Sequence, residues 1–356
     1  MSTELKHTAT ILESLTPTSR AEMIDSLVSA LADGHIKTID THNTSSVIFI
    51  FQQGKNKYVL KAEHGEASTT VREITWYKSA LSKSLAPSFI HSHQNQYFSF
   101  MLLEYIENAK TLEDISASGD YDSTEILHYL EIAFLRNKKL YTDSQPITAT
   151  KDAIDIFFLG KYEQRLREAK SIPYLKKLYE ASTITLNNKK FHTPSAYIDM
   201  IVANKDLYDY LTPNKLGLIH GDLHYGNILI GNGDLYFVDP NGASHMPIEY
   251  DYGKLLHSVH GGYGQIMKGA YTLVAYGDNH YTFHSEESEN LTLAFTHLQS
   301  LLSKKELLQG MYAEALHFAT MLPHHASDKR ETTALYLRCV EIFNELFIRL
   351  GEEAII

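Results

Sequence analysis

Strand-period and helix-period segments are segregated along this chain, and that segregation is the strongest constraint on its fold. Residues 36–39, 47–51, 58–62 and 98–104 are short apolar runs that predict strands, with a polar turn at 52–57. Residues 67–82 predict one helix among them. After residue 106 the helical period takes over, at 123–140, 156–181 (interrupted near Pro173) and 195–210. Only residues 216–239 break it, with a loop and two short strands, and from Tyr250 onward the pattern predicts helices again. A nucleotide-binding sheet of the doubly wound kind would alternate strands and helices throughout. The expected class is therefore α+β, with a small β-rich lobe and a large α-helical lobe.

Ahead of the strands, residues 19–33 predict an amphipathic helix with Met23, Ile24, Leu27, Val28 and Leu31 on one face. Ser19 and Glu22 match a capping box, and Gly34 a stop. The division expected is a helical segment at 1–35, a nucleotide-binding lobe at 36–105 and a catalytic and acceptor-binding lobe at 106–356.

A chain of 356 residues suits two lobes better than one core. Its formal charge of −11 argues against a nucleic-acid surface and permits a cationic ligand. No apolar run approaches the roughly 18 residues that span a bilayer. The sole cysteine, Cys339, has no internal disulfide partner, and the first residues carry no apolar leader. Together these predict a cytoplasmic protein without a membrane span.

The chemistry concentrates in Leu218-Ile219-His220-Gly221-Asp222-Leu223-His224-Tyr225-Gly226-Asn227 and in Leu235-Tyr236-Phe237-Val238-Asp239-Pro240. Two apolar runs each lead into an aspartate, and Asn227 follows Asp222 by five positions. Phosphoryl transfer needs such a set. Its transition state is loose, so the protein positions reactants and neutralises charge. One carboxylate must align the acceptor hydroxyl, the role expected of Asp222. A carboxylate and an amide oxygen must hold Mg²⁺ against phosphate oxygens, the role expected of Asp239 and Asn227.

These residues resemble the catalytic loop and metal-binding aspartate of aminoglycoside phosphotransferases, choline/ethanolamine kinases and fructosamine kinases. Protein kinases place Arg between the loop His and Asp, and Phe after the metal-binding Asp. Gly221 and Pro240 stand there instead, which favours the small-molecule branch. The resemblance implies a two-lobed protein-kinase-like fold with ATP or GTP bound between the lobes. It implies transfer of the γ-phosphate to a hydroxyl of a sugar, amino sugar or amino alcohol. It also implies that Lys61, at the end of the third strand, grips the α- and β-phosphates, paired with Glu73 on the next helix. The phosphate loop falls at Asn43, Thr44, Ser45 and Ser46, where small polar residues replace the usual glycines, and the hinge at Glu104 to Ile106. Asp251 resembles a further aspartate that caps the next helix and braces the loop. The segment from His257 to Gly264 resembles stretches in phosphotransferase-like proteins of surface-polysaccharide pathways, which leans the acceptor towards a sugar-related hydroxyl.

Two rival readings remain at this point. An atypical Ser/Thr protein kinase needs an activation segment, and the short stretch between Asp239 and Asp251 leaves little room for one. A nucleotide-binding pseudokinase would not need Lys61, Asp222, Asn227 and Asp239 together. The pairs His257/His260 and His324/His325 lack the spacing and acidic partner of a zinc site and read as structural or surface histidines.

Overall fold

The computed structural model describes residues 1–31, 36–39, 46–65, 69–241, 245–277, 279–286 and 288–352. The chain divides into two compact units. One comprises Met1–Lys110 with Leu229–Ser244, the other Thr111–Ile228 with His245–Ile356. The class is the α+β one that the segregated periods predict, with a sheet-based first part and a largely helical second part.

The first unit is built on a five-stranded antiparallel sheet. Its strands are β1 (Ile36–Ile39), β2 (Ser46–Gln53), β3 (Asn56–His64), β4 (Phe89–Gln94) and β5 (Phe98–Glu104), in the order β1-β2-β3-β5-β4. Alternation decides which face is dry. Val47, Phe49 and Phe51, then Tyr58, Leu60 and Ala62, then Phe98, Phe100 and Leu102 all join one buried cluster. That cluster is closed by α1 (Thr3–Glu13), through Leu5, Ala9 and Leu12, and by α2 (Arg20–Ala30), through Met23 and Leu27. Lys61 lies between Leu60 and Ala62 in β3 and so projects to the opposite face. Helix α3 (Thr69–Lys78) follows β3 and carries Glu73.

Several local expectations need correcting. Ser19 does cap α2, accepting from Glu22 N at 3.2 Å, but Glu22 reaches back to Thr18 N at 2.8 Å and not to Ser19. Val28 is 40 % exposed, so the buried stripe of α2 is narrower than its sequence suggests. Residues after 250 are not all helical. Tyr271–Gly277 and His280–Ser285 form a hairpin in a four-stranded sheet with Thr183–Leu186 and Lys189–His192. Tyr271–Gly277 does carry an apolar run, but most of it is exposed, and the strands at 183–186 and 189–192 are only four residues each, too short for their period to register.

The second unit is organised by helices α4 (Ser123–Asp143), α5 (Ile248–Val259), α6 (Lys304–Met321) and α7 (Lys329–Glu352). Helix α6 is buried on every side from Leu307 to Thr320, which makes it the axis of this unit. Tyr252, Leu255 and Leu256 of α5 are buried, as are Met311, Ala315 and Phe318 of α6. Cys339 is buried in α7, and burial pushes its thiol well up, away from thiolate chemistry. Gly253 permits the close approach of α5 to α6, because a Cβ there would stand 2.7 Å from Ala313 Cβ and 2.8 Å from Glu314 N. Gly253→Ala gains up to about 1 kcal/mol of helix propensity. The overpacking costs about 1–3 kcal/mol and outweighs it. A lowered thermal midpoint is the expected result, read by calorimetry.

Candidate active site

Each unit assembles its own cluster of polar groups. In the first, Lys61 is only 8 % exposed and Glu73 4 %. The Lys61 ammonium donates to both carboxylate oxygens of Glu73, each at 2.8 Å, and also to Asp239 Oδ1. Burial alone would push the ammonium down, but the carboxylates of Asp239 and Glu73 outweigh it and hold it well up. Burial pushes the Glu73 carboxyl up to about 7, against the opposing pull of Lys61. The structure thus joins three residues far apart in sequence around one cation.

Asp239 follows the hairpin β6 (Ile228–Gly231) and β7 (Asp234–Phe237). Phe237 N donates to Leu85 O at 2.6 Å, which fixes the hairpin within the first unit. The hairpin thus belongs to the unit of Met1–Lys110, although it follows residue 106 in the chain. Asp239 takes φ = 57°, a left-handed conformation that costs a non-glycine residue roughly 1–3 kcal/mol. Its side chain is 53 % exposed, far more than its two partners.

In the second unit the loop from His220 to Asn227 is held from one face of α5. Asp251 Oδ2 accepts from His220 N at 2.9 Å, and Asp251 Oδ1 accepts from Gly221 N at 2.8 Å. Lys254 Nζ lies 2.8 Å from Asp222 Oδ1. Ser258 Oγ accepts from Tyr225 N at 3.0 Å. Positions 251, 254 and 258 recur at helical spacing, so one stripe of the helix grips the loop at three points. Gly221 has φ = 81°, which suits glycine and explains its place in the motif. Asn227 Nδ2 donates to Asp222 O at 2.9 Å and to Asp222 Oδ2 at 3.4 Å. This fixes the amide so that its oxygen points elsewhere.

The charge balance follows from these contacts. Burial would push the Asp222 carboxyl up, yet Lys254 and then His224 outweigh it and hold it far below the usual carboxylate range. Asp251 is fully buried, and burial pushes its carboxyl up to about 7 against the pull of the loop N–H donors. Asp251 lies inside α5, which starts at Ile248, so it does not cap the helix as expected. It braces the loop instead. Asp251→Ala orphans the loop N–H groups that it accepts from, His220 and Gly221 among them, and should cost about 2–4 kcal/mol, with a matching loss of activity. Denaturant midpoints measure the first effect.

The remaining expected site residues stand as follows. Asn43, Thr44 and Ser45 lie outside the described residues, and Ser46 opens β2, buried and opposite Glu63. Glu104 ends β5, its N–H donating to Ser88 O at 3.0 Å and its carboxylate accepting from Ser88 Oγ at 2.6 Å. Ile106 is buried, and a Cβ on Gly231 would lie 2.7 Å from its Cγ2. His257 is buried over the Tyr263 ring at 4.3 Å, and His260 sits 2.9 Å from both Glu314 and Glu345. Among the described residues no group of three or more His, Cys, Asp or Glu could hold a metal ion.

Sequence reading missed Lys254 and Ser258. Their positions, three and seven after Asp251, share its helix face, the one signal the sequence offered for them.

Residues 36–282 match the phosphotransferase enzyme family (APH), and the chain belongs to that family. The chain is 28 % identical to methylthioribose kinase of Bacillus cereus (strain AH820) over 241 residues. That match spans 58 % of this chain and 58 % of the relative's length. Among solved structures, a choline/ethanolamine kinase family protein from Mesorhizobium loti is similar with a TM-score of 0.55 and 15 % identity, over 92 % of this chain and 98 % of that one. Aminoglycoside phosphotransferase APH(4)-Ia gives 0.54 and 13 %, over 92 % and 99 %. Likeness at such identity speaks for the fold. No helix among the described residues is long and apolar enough to cross a membrane.

Proposed function

We propose that this protein is a small-molecule kinase that moves the γ-phosphoryl group of ATP or GTP to a hydroxyl of a sugar, amino sugar or amino alcohol. The observation that carries this reading is the loop from His220 to Asn227, whose carboxylate is held ionised and whose backbone is fixed by a buried aspartate. A rigid scaffold of that kind is what positioning catalysis requires.

Each residue then has a task. Lys61, oriented by Glu73, holds the α- and β-phosphates, with residues 43 to 46 and the 104–106 segment completing nucleotide contacts. Asp239 and Asn227 supply oxygen ligands to magnesium. The bound metal–nucleotide brings the phosphoryl group and offsets its charge. Asp222 accepts a hydrogen bond from the acceptor hydroxyl and aligns its oxygen with phosphorus. As the new O–P bond forms, the bond to the departing diphosphate breaks with its electron pair. The hydroxyl proton passes to Asp222 late and then to solvent, consistent with a carboxyl that holds protons weakly.

Coupled release of nucleoside diphosphate, with Mg²⁺ omitted and then restored, tests this reading. Acceptor-stimulated, metal-dependent release is expected. Tight nucleotide binding with no turnover in any acceptor mixture would instead favour a pseudokinase.

A further inference from the structure

We propose that Lys254 is a positioning residue of the reaction, holding one oxygen of Asp222 so that the other faces the acceptor hydroxyl. The inference rests on the kinase reading above. Lys254 is the only one of the three loop-gripping residues of α5 that touches a functional side chain, since Asp251 and Ser258 hold backbone N–H groups.

The geometry favours an orienting role. Among the described residues the Lys254 ammonium has no other carboxylate partner, and its side chain is 15 % exposed against 28 % for Asp222. The terminal torsion of an aspartate is broad and nearly two-fold, so an untethered carboxylate samples many orientations. Lys254 takes Oδ1 at 2.8 Å. Among the described residues the other oxygen, Oδ2, is met at longer range, by Asn227 Nδ2 at 3.4 Å and His224 Nε2 at 3.9 Å. Oδ2 therefore retains acceptor capacity, and the tether decides where it points.

Electrostatics add a second reason. A carboxylate next to a migrating phosphoryl group repels it, and a bound ammonium offsets that repulsion without occupying the free oxygen. The lysine sits on the helix and not in the loop, so its position is set by α5.

The test compares Lys254→Met and Lys254→Arg, each alone and with Asp222→Asn, at saturating nucleotide. Lys254→Met should lower kcat on the order of 100-fold, the scale of a misplaced catalytic group, while KM for nucleotide and the thermal midpoint barely move. Lys254→Arg, which keeps the cation, should recover part of the loss. In the Asp222→Asn background, Lys254→Met should add almost nothing, as expected of residues acting as a unit. A kcat within threefold of wild type, or the same loss with and without Asp222, would overturn the proposal. Should the wild-type protein transfer no phosphoryl group at all, the kinase reading fails on its own. The crystal structure of Lys254→Met then decides the remaining question. A displaced Asp222 carboxylate sustains the tether, and an unmoved one removes it.

Discussion

Asp222→Asn is expected to cut phosphoryl transfer about 10³-fold, within the range of lost acid–base and orienting groups, while folding and nucleotide affinity stay close to wild type. The amide is nearly isosteric, so the loop remains held by Asp251 at His220 and Gly221 and by Ser258 at Tyr225. What disappears is the negative charge that Lys254 stabilises and that the acceptor hydroxyl must meet. Removing it also leaves the Lys254 ammonium without its carboxylate. That loss carries a modest stability cost, because both side chains retain contact with water. Turnover measured at saturating nucleotide, beside a melting curve, separates the two effects. Near-native turnover would mean that another group aligns the hydroxyl.

Asp239→Ala should act on a different step. Asp239 is the most exposed member of the cluster around Lys61 and the only one whose carboxylate is largely open to a metal ion. Without it, nucleotide affinity in the presence of Mg²⁺ should fall on the order of 100-fold, while the weak affinity in chelator stays unchanged. Loss of one hydrogen-bonded charge contact in a binding site, about 2–3 kcal/mol, gives that factor. Activity should vanish with the binding. Lys61 keeps its bidentate partner Glu73, so the fold should tolerate the change with a loss of about 1 kcal/mol or less. Titration calorimetry with and without Mg²⁺ reads the difference directly. A uniform loss in both conditions would show that Asp239 acts on the nucleotide through Lys61 and not through the metal.

The two substitutions also show what the sequence made legible. Asp222, Asn227 and Asp239 stood out as candidates because short-range spacing and apolar flanks are preserved in one dimension. The resemblance implied that Lys61 and Glu73 pair, and their bidentate contact is present. The link from Lys61 to Asp239 was not legible, since it joins residues 178 positions apart through the placement of the β6–β7 hairpin. Lys254 escaped notice for a related reason. A lysine in the middle of an amphipathic helix resembles any solvated charge until the loop opposite is placed. The sheet formed by 183–192 and 271–285 was hidden because two of its strands are only four residues long and the apolar run at 271–276 lies among helical segments and stays mostly exposed. Glycines behaved differently again. The close approaches at Gly253 and Gly261, the second within 2.5 Å of Phe318 for an added Cβ, depend on helix packing that composition does not reveal.

The most direct measurement is a phosphotransfer screen with Mg²⁺–ATP and Mg²⁺–GTP against simple sugars, amino sugars, choline, ethanolamine and related alcohols. Mass spectrometry would read a gain of about 80 Da on the acceptor, one phosphoryl group. The account predicts at least one acceptor that gains this mass only with metal and nucleotide, and that stays unmodified with Asp222→Asn. An acceptor modified equally by wild type and Asp222→Asn, or a protein that binds nucleotide yet modifies nothing in the panel, would contradict it.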